Sequence, residues 1–136
     1  MEFEFDLSDA ILKPGKYPMR VESAVLYEKA DSDYRAIRAN LVVREGTGEG
    51  TKVSHFVAIP DPSNKYYTLQ IKNLQDFLSA CAGRKLDGSI KLKAEEDLDG
   101  NSSFPDLVDA EFDAYLEQDG EYLRVKRNGF VISDPF

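Results

Sequence analysis

Apolar and polar residues alternate every second position over several stretches of this chain, and they switch to helical spacing only once. After the Pro14-Gly15 turn, Tyr17, Met19, Val21, Ser23 and Val25 alternate with Pro18, Arg20, Glu22, Ala24 and Leu26. That period predicts a strand with one mostly apolar face. The polar run Lys29-Ala30-Asp31-Ser32-Asp33 closes it. Next, Ile37, Ala39, Leu41 and Val43 share one side and Tyr34, Arg38 and Asn40 the other, so Arg38 and Asn40 are expected to face away from the core. Gly46, Gly48 and Gly50 mark a reversal, after which Lys52 to Ile59 reads as a third strand. Its register is open: Val53, His55, Val57 and Ile59 form one face and Lys52, Ser54, Phe56 and Ala58 the other, so either Phe56 or His55 points outward.

Asp61-Pro62-Ser63-Asn64 has turn and N-cap chemistry. Beyond it Ile71, Leu74, Phe77, Leu78 and Cys81 recur at helical spacing and stop at Gly83, which predicts one helix over 65–82. In the stretch 84–109 Ser89 to Lys93 suits a short strand and Asp99-Gly100-Asn101 a turn. Ala110, Phe112, Ala114 and Leu116 then alternate with Asp109, Glu111, Asp113, Tyr115 and Glu117, a strand whose outer face is acidic. Asp119-Gly120 signals a hairpin. Its return strand runs from Glu121 to Val131, with Leu123 and Val125 opposing Arg124, Lys126 and an Asn128-Gly129 turn. Three antiparallel strands, a helix and a closing hairpin follow the element order of an oligonucleotide/oligosaccharide-binding (OB) barrel. The expected fold is therefore mainly β: a five-stranded OB-fold-like β-barrel with one helix between strands 3 and 4. It forms a single domain, with 1–13 as an N-terminal extension, 14–131 as the barrel and 132–136 as a short C-terminal tip.

With 136 residues, 42% apolar and 31% charged, the chain suits one globular core. Cys81 has no partner for a disulfide, which fits a reducing compartment. The opening Met-Glu-Phe-Glu-Phe-Asp is acidic and alternating, the reverse of a secretory signal, and no apolar run nears the roughly 20 residues that span a bilayer. A soluble cytoplasmic protein with no membrane role is expected. So is a non-enzyme without cofactors, because one His and one Cys on different elements make no nucleophile–base or metal cluster. The glycines at 46, 48 and 50 join two strands, unlike a phosphate loop between strand and helix. Glu95, Asp97, Asp99, Gly100 and Asp106 occupy positions 1, 3, 5, 6 and 12 of a calcium-loop pattern. Glu at position 1, Asp at 12, Ser102 at 8 and Pro105 before 12 depart from it, so a solvated acidic loop is the preferred reading and no metal is expected.

Charge changes the picture most. The net charge of -8 hides two blocks: Lys13 to Lys93 holds fourteen Lys/Arg against nine Asp/Glu, while Ala94 to Glu121 holds eleven acids and no base. Within the basic block Tyr34, Arg35, Arg38, Lys52, Phe56, Lys65, Tyr66 and Tyr67 fall where an oligonucleotide-binding barrel places its ligand face. Single-stranded nucleic acid needs that mixture, cations to track phosphates and flat rings on which bases stack. Arg124, Lys126 and Arg127 add a second basic patch. The competing reading has the tyrosines packing the helix start and the arginines solvating a sheet. An acidic fourth strand would repel a polyanion and so restrict its path.

From Pro14-Gly15-Lys16-Tyr17 through Gly50-Thr51-Lys52-Val53 to Ala80-Cys81-Ala82-Gly83 and Leu86-Asp87-Gly88-Ser89, the chain resembles small single-stranded DNA-binding proteins of tailed bacteriophages. The resemblance spans about residues 14–130 and rests on the order of these elements rather than on any one of them. It implies an OB-fold that coats transient single strands in phage DNA replication or recombination, in the host cell cytoplasm. The ending Asp134-Pro135-Phe136 is similar to the acidic Pro-Phe tip by which bacterial single-strand binders dock replication and repair partners, though with a single acid and no long tail. The groove residues expected on these grounds are Tyr34, Arg35, Arg38, Lys52, Phe56, Lys65, Tyr67, Arg124 and Lys126. Unpaired strand edges also allow a homodimer. The rival reading is an acidic protein-interaction module, either a DNA-mimic decoy or a structural barrel of the virion.

Overall fold

The computed structural model describes residues 1–6 and 12–132. The fold is mainly β, with antiparallel pairing throughout and one α-helix among the described residues. β1 (Gly15–Glu28), β2 (Arg35–Val43) and β3 (Lys52–Ala58) form a meander. The helix α1 (Tyr67–Ala82) follows, then two-residue strands β4 (Glu95–Glu96) and β5 (Ser102–Ser103), a 3₁₀ turn at Pro105–Leu107, and the hairpin of β6 (Glu111–Asp119) and β7 (Tyr122–Phe130). The long β1 is shared between neighbours: its first half pairs with β6, from Gly15 opposite Leu116 to Arg20 opposite Glu111, and Val25 in its second half pairs with Ser103 of β5. The hydrogen-bonded path therefore runs β3-β2-β1-β6-β7, with β5 and β4 extending the sheet beside the far half of β1.

The expected closed barrel is not what forms. β3 and β7 lie side by side, but no backbone ladder joins them among the described residues, so the sheet stays open at that seam. The cause lies in β7. Leu116 pairs with Val125 but Ala114 pairs with Phe130, so β7 spends four residues where β6 spends one. Asn128 and Gly129, expected as a turn, lie inside β7 at this bulge, and Asn128 takes a left-handed φ of 58°. A strand deformed in this way cannot present an even row of donors and acceptors to β3.

A bulge in β1 corrects the alternation expected there. The β1–β2 register shifts between Val21 and Ser23, so Glu22 is the extra residue. Past it Ala24 and Leu26 turn to the core, whereas Ser23 and Val25, expected inside, take the outer face. Elsewhere alternation holds. Ile37, Ala39, Leu41 and Val43 of β2 are fully buried, as are Val53 and Val57 of β3 and Phe112, Ala114 and Leu116 of β6. β3 resolves its open register with His55 inward and Phe56 outward.

α1 starts at Tyr67, two residues later than expected, and Tyr66 at its N-cap makes no side-chain cap. The turn residues act one step upstream: the Asn64 side-chain oxygen accepts the Tyr66 N–H at 2.8 Å, and the Asp61 carboxylate accepts from Ser63. At the other end Gly83, at φ 73°, closes a Schellman motif in which Arg84 N–H reaches the Ser79 carbonyl and Gly83 N–H the Ala80 carbonyl. Buried Ser79 accepts the Leu86 N–H at 2.9 Å, and Gln75 donates to the Leu86 carbonyl at 2.7 Å. These bonds hold the following loop on the helix. Ser89 to Lys93 forms no strand there.

The core fills the space between the inner sheet face and α1. Phe77, Phe112, Phe130 and His55 meet edge-to-face or tilted, with centroids 5.0–6.4 Å apart. Gly129 makes the bulge possible beside them. A Cβ there would stand 2.6 Å from the Lys126 carbonyl oxygen and 2.9 Å from that of Tyr115. Both obstacles are backbone, so Gly129→Ala is expected to cost about 1–3 kcal/mol by overpacking and to lower Tm by several degrees. An unchanged thermal melt would refute this account of the bulge.

Candidate functional site

Directly paired residues in an antiparallel sheet project to the same face, and the register sorts the outer face of β1–β3 into three zones. At one end Lys52 reaches Glu22 at 3.2 Å, and both are exposed. In the middle Asn40 donates to Ser23 at 2.8 Å and accepts from Ser54 at 3.2 Å, a side-chain ladder across three strands. The far end is aromatic and cationic. Phe56 and Arg38 are cross-strand partners there, with the guanidinium 5.8 Å from the ring centroid. The Tyr27 ring meets Phe56 edge-on at 5.4 Å and Tyr34 at 6.3 Å. All three rings are partly open to solvent: Phe56 is 45% exposed, Tyr34 38% and Tyr27 37%. Partial burial, with the neighbouring Tyr27 second, raises the Tyr34 hydroxyl above the usual tyrosine range. It therefore stays protonated and neutral at physiological pH.

Arg38 has no carboxylate partner among the described residues. The row that contains it continues Phe56–Arg38–Val25–Ser103–Glu95, so the sheet passes from rings and a cation to a carboxylate held by Lys93 at 3.5 Å.

The expected groove residues divide on this geometry. Tyr34, Arg38 and Phe56 come together, joined by Tyr27. Arg35 opens β2 near Asp61, whose carboxyl is held below the usual range by the Ser63 hydroxyl and N–H and then by Arg35. Lys52 lies four residues along β3 from Phe56, in its ion pair. Lys65 sits 5.0 Å from the Tyr66 ring centroid, and Tyr67 begins α1, half-exposed; neither belongs to the Phe56 cluster. Arg124 is engaged elsewhere. It binds Glu117 at 2.8 Å and Asp119 at 3.2 Å, so it is not the unpaired cation expected of it. Asp134, Pro135 and Phe136 lie outside the described residues.

Tyr27 escaped sequence reading because the Glu22 bulge reverses the phase that would have placed it. The Arg124 pairing was available in principle: a two-residue Gly120-Glu121 loop sets Glu117 opposite Arg124.

The acidic outer face of β6 is itself cross-linked. Asp113 lies 3.8 Å from Lys16 and 3.7 Å from Arg44, which also reaches Glu111 at 3.8 Å and Glu45 at 3.0 Å. With Arg124 on Glu117 and Asp119, much of this strand's charge is offset locally. In the acidic loop the Asp97 carboxylate accepts the N–H groups of Asp99 and Asn101, so it closes its own turn. Among the described residues no three His, Cys, Asp or Glu side chains converge as metal ligands.

Around the β3 edge from Phe56 lies the β3–β7 seam, a cleft of about 450 Å³ floored by α1. His55, Phe56, Asn73, Lys126, Arg127 and Phe130 line it. Lys126 and Arg127 are exposed and have no carboxylate partner among the described residues. Phe56 thus belongs to both the aromatic cluster and the cleft. No helix among the described residues is long and apolar enough to cross a membrane. No protein-family model and no curated protein matches the chain.

Two buried groups give measurable expectations. Burial lowers His55 from 6.5 to about 4, against Phe130 at 5.0 Å. The folded state thus binds fewer protons than the unfolded chain between those values. Its contribution to stability is complete well above pH 6.5 and is lost as pH falls toward 4, on the order of 3 kcal/mol in all. His55→Leu should flatten the dependence of Tm on pH between 7 and 5 relative to the wild type. Parallel profiles for the two proteins would show that His55 is not buried neutral. Burial likewise pushes the Cys81 thiol up to about 12, which leaves negligible thiolate at neutral pH. Its reaction with a disulfide reagent at pH 8 should be at least about tenfold slower folded than in urea, and equal rates would place the thiol in solvent.

Proposed function

We propose that this chain binds single-stranded DNA without sequence preference and catalyses nothing. The observation that carries the reading is the exposed cluster of Tyr27, Tyr34 and Phe56, with Arg38 over the Phe56 ring and without a carboxylate partner among the described residues. Flat rings held edge-on to one another expose faces on which bases of any kind stack, and a cation without a carboxylate partner is free for phosphate. Lys126 and Arg127 continue the positive path around the edge of β3. The order β3-β2-β1-β6-β7 with a helix before β6 is the path of an oligonucleotide-binding barrel, read here as one left open at its last seam. In this reading the chain coats transient single strands during phage DNA replication or recombination, as its resemblance suggests.

The lacing of β6 by Lys16, Arg44 and Arg124 favours this role over a DNA-mimic decoy. A decoy needs a row of uncompensated carboxylates to imitate phosphates, and these are compensated. A labelled oligothymidylate is expected to bind at low ionic strength and to be released as salt rises. Phe56→Ala should weaken binding by about 5- to 150-fold, the worth of one stacked base at roughly 1–3 kcal/mol. Arg38→Ala should weaken it and also flatten the salt dependence. Fluorescence anisotropy that shows no binding at about 50 mM salt, or binding indifferent to Phe56→Ala, would remove the cluster from any such role.

A further inference from the structure

The segment Met1–Asp6 has strand chemistry without a sheet. Met1, Phe3 and Phe5 alternate with Glu2, Glu4 and Asp6, and the Phe3 and Phe5 rings stack with centroids 6.3 Å apart, on one side of the chain. Their own molecule does not house them: Phe3 is 72% and Phe5 75% exposed. Two adjacent phenylalanines left in water are an unsatisfied apolar surface, and the glutamates beside them set its polarity.

The same molecule carries an acceptor of opposite character. Among the described residues β3 pairs only with β2 and β7 only with β6, so each has an edge of backbone donors and acceptors with no ladder along the cleft between them. The cleft wall holds Val57, Phe130 and the Phe56 ring; Asp76 and Glu117 also line it, paired with Lys72 and Arg124, whereas Lys126 and Arg127 have no carboxylate partner among the described residues. The cleft runs along Ser54–Ala58 of β3, five residues against which part of a short extended segment can pair. An extended segment added to a sheet edge gains backbone hydrogen bonds for affinity and sends alternate side chains to opposite sides for specificity. For Met1–Asp6 this turns Phe3 and Phe5 to one side of the added strand and Glu2 and Glu4 to the other, where apolar and cationic cleft groups await them.

We propose that Met1–Asp6 of one copy adds as a strand to the β3 edge of a second copy, with Glu2 and Glu4 meeting Lys126 and Arg127. A second copy is the occupant because the segment is exposed on its own chain while the complementary cleft is present on every chain. The inference is independent of the nucleic-acid reading, since its readout is mass in the absence of nucleic acid.

Sedimentation velocity of the full chain over a concentration series tests it. The wild type should self-associate reversibly. Phe3→Ser with Phe5→Ser, Glu2→Lys with Glu4→Lys, and Lys126→Glu with Arg127→Glu should each raise the dissociation constant at least about tenfold, while far-ultraviolet circular dichroism stays unchanged because all these side chains are exposed. Combining the two charge reversals in one chain should restore association toward the wild-type value. A wild type that remains monomeric throughout overturns the proposal. So does association that survives the segment changes, that ignores Lys126 and Arg127, or that the combined reversal fails to recover.

Discussion

Between β3 and β7, where no ladder runs, the contact is made by rings. Phe77 of α1, Phe112 of β6, Phe130 of β7 and His55 of β3 come from four separate elements and meet at one point. Each buried ring contributes roughly 1.5–3 kcal/mol from its area, and edge-to-face pairs add about 0.5–1.5 kcal/mol each. The demands of this cluster radiate outward. β7 must bulge so that Phe130 can come opposite Ala114, the bulge requires Gly129, and the distorted strand then leaves the outer edge of β3 without a ladder among the described residues. His55 is kept neutral by the same packing. A cleft bordered by free strand edges follows from how Phe130 reaches the core.

Electrostatics follows a local rule in this protein rather than a global one. Two charge blocks in the sequence suggest one attractive and one repellent face, yet the register interleaves them. Lys16, Arg44 and Arg124 lie over the acidic β6, and Glu22 lies beside Lys52. Exposed pairs of this kind contribute about 0–1 kcal/mol each to stability. Their larger effect is to decide which cations remain unpaired. Arg38, Lys126 and Arg127 are among the cations with no carboxylate partner among the described residues, and these three lie near Phe56.

Alternation made the inner faces of β2 and β6 legible, with Ile37, Ala39, Leu41 and Val43 and then Phe112, Ala114 and Leu116 inside, although Ala36 and Val42 on the other face of β2 are buried too. The helix was legible from Phe77, Leu78 and Cys81 and from the glycine that ends it. Two of the misread stretches share one cause, extra residues that change the phase. Glu22 moves Ser23 and Val25 outward and brings Tyr27 into the aromatic cluster; the residues around Asn128 convert an apparent turn into a strand interior. Nothing in the composition of either segment announces a bulge, since its cause is a partner strand far away in sequence. At the site, Arg38 was legible because it lies on an unbroken strand. Phe56 and His55 were left as alternatives because β3 carries apolar or aromatic residues on both faces, and only the ring cluster chooses between them.

The pairing of Gly15 with Leu116 and of Arg20 with Glu111 has a consequence in time. The chain is made from its first residue onward, so the β1–β2–β3 meander can form early, since its pairings are local. Its apolar inner face then has no lid until α1, and no complete core until Phe112 and Phe130 have left the ribosome. Until β6 is made, the first half of β1 lacks its second neighbour. Such an intermediate is vulnerable to association through its uncovered face and open edge.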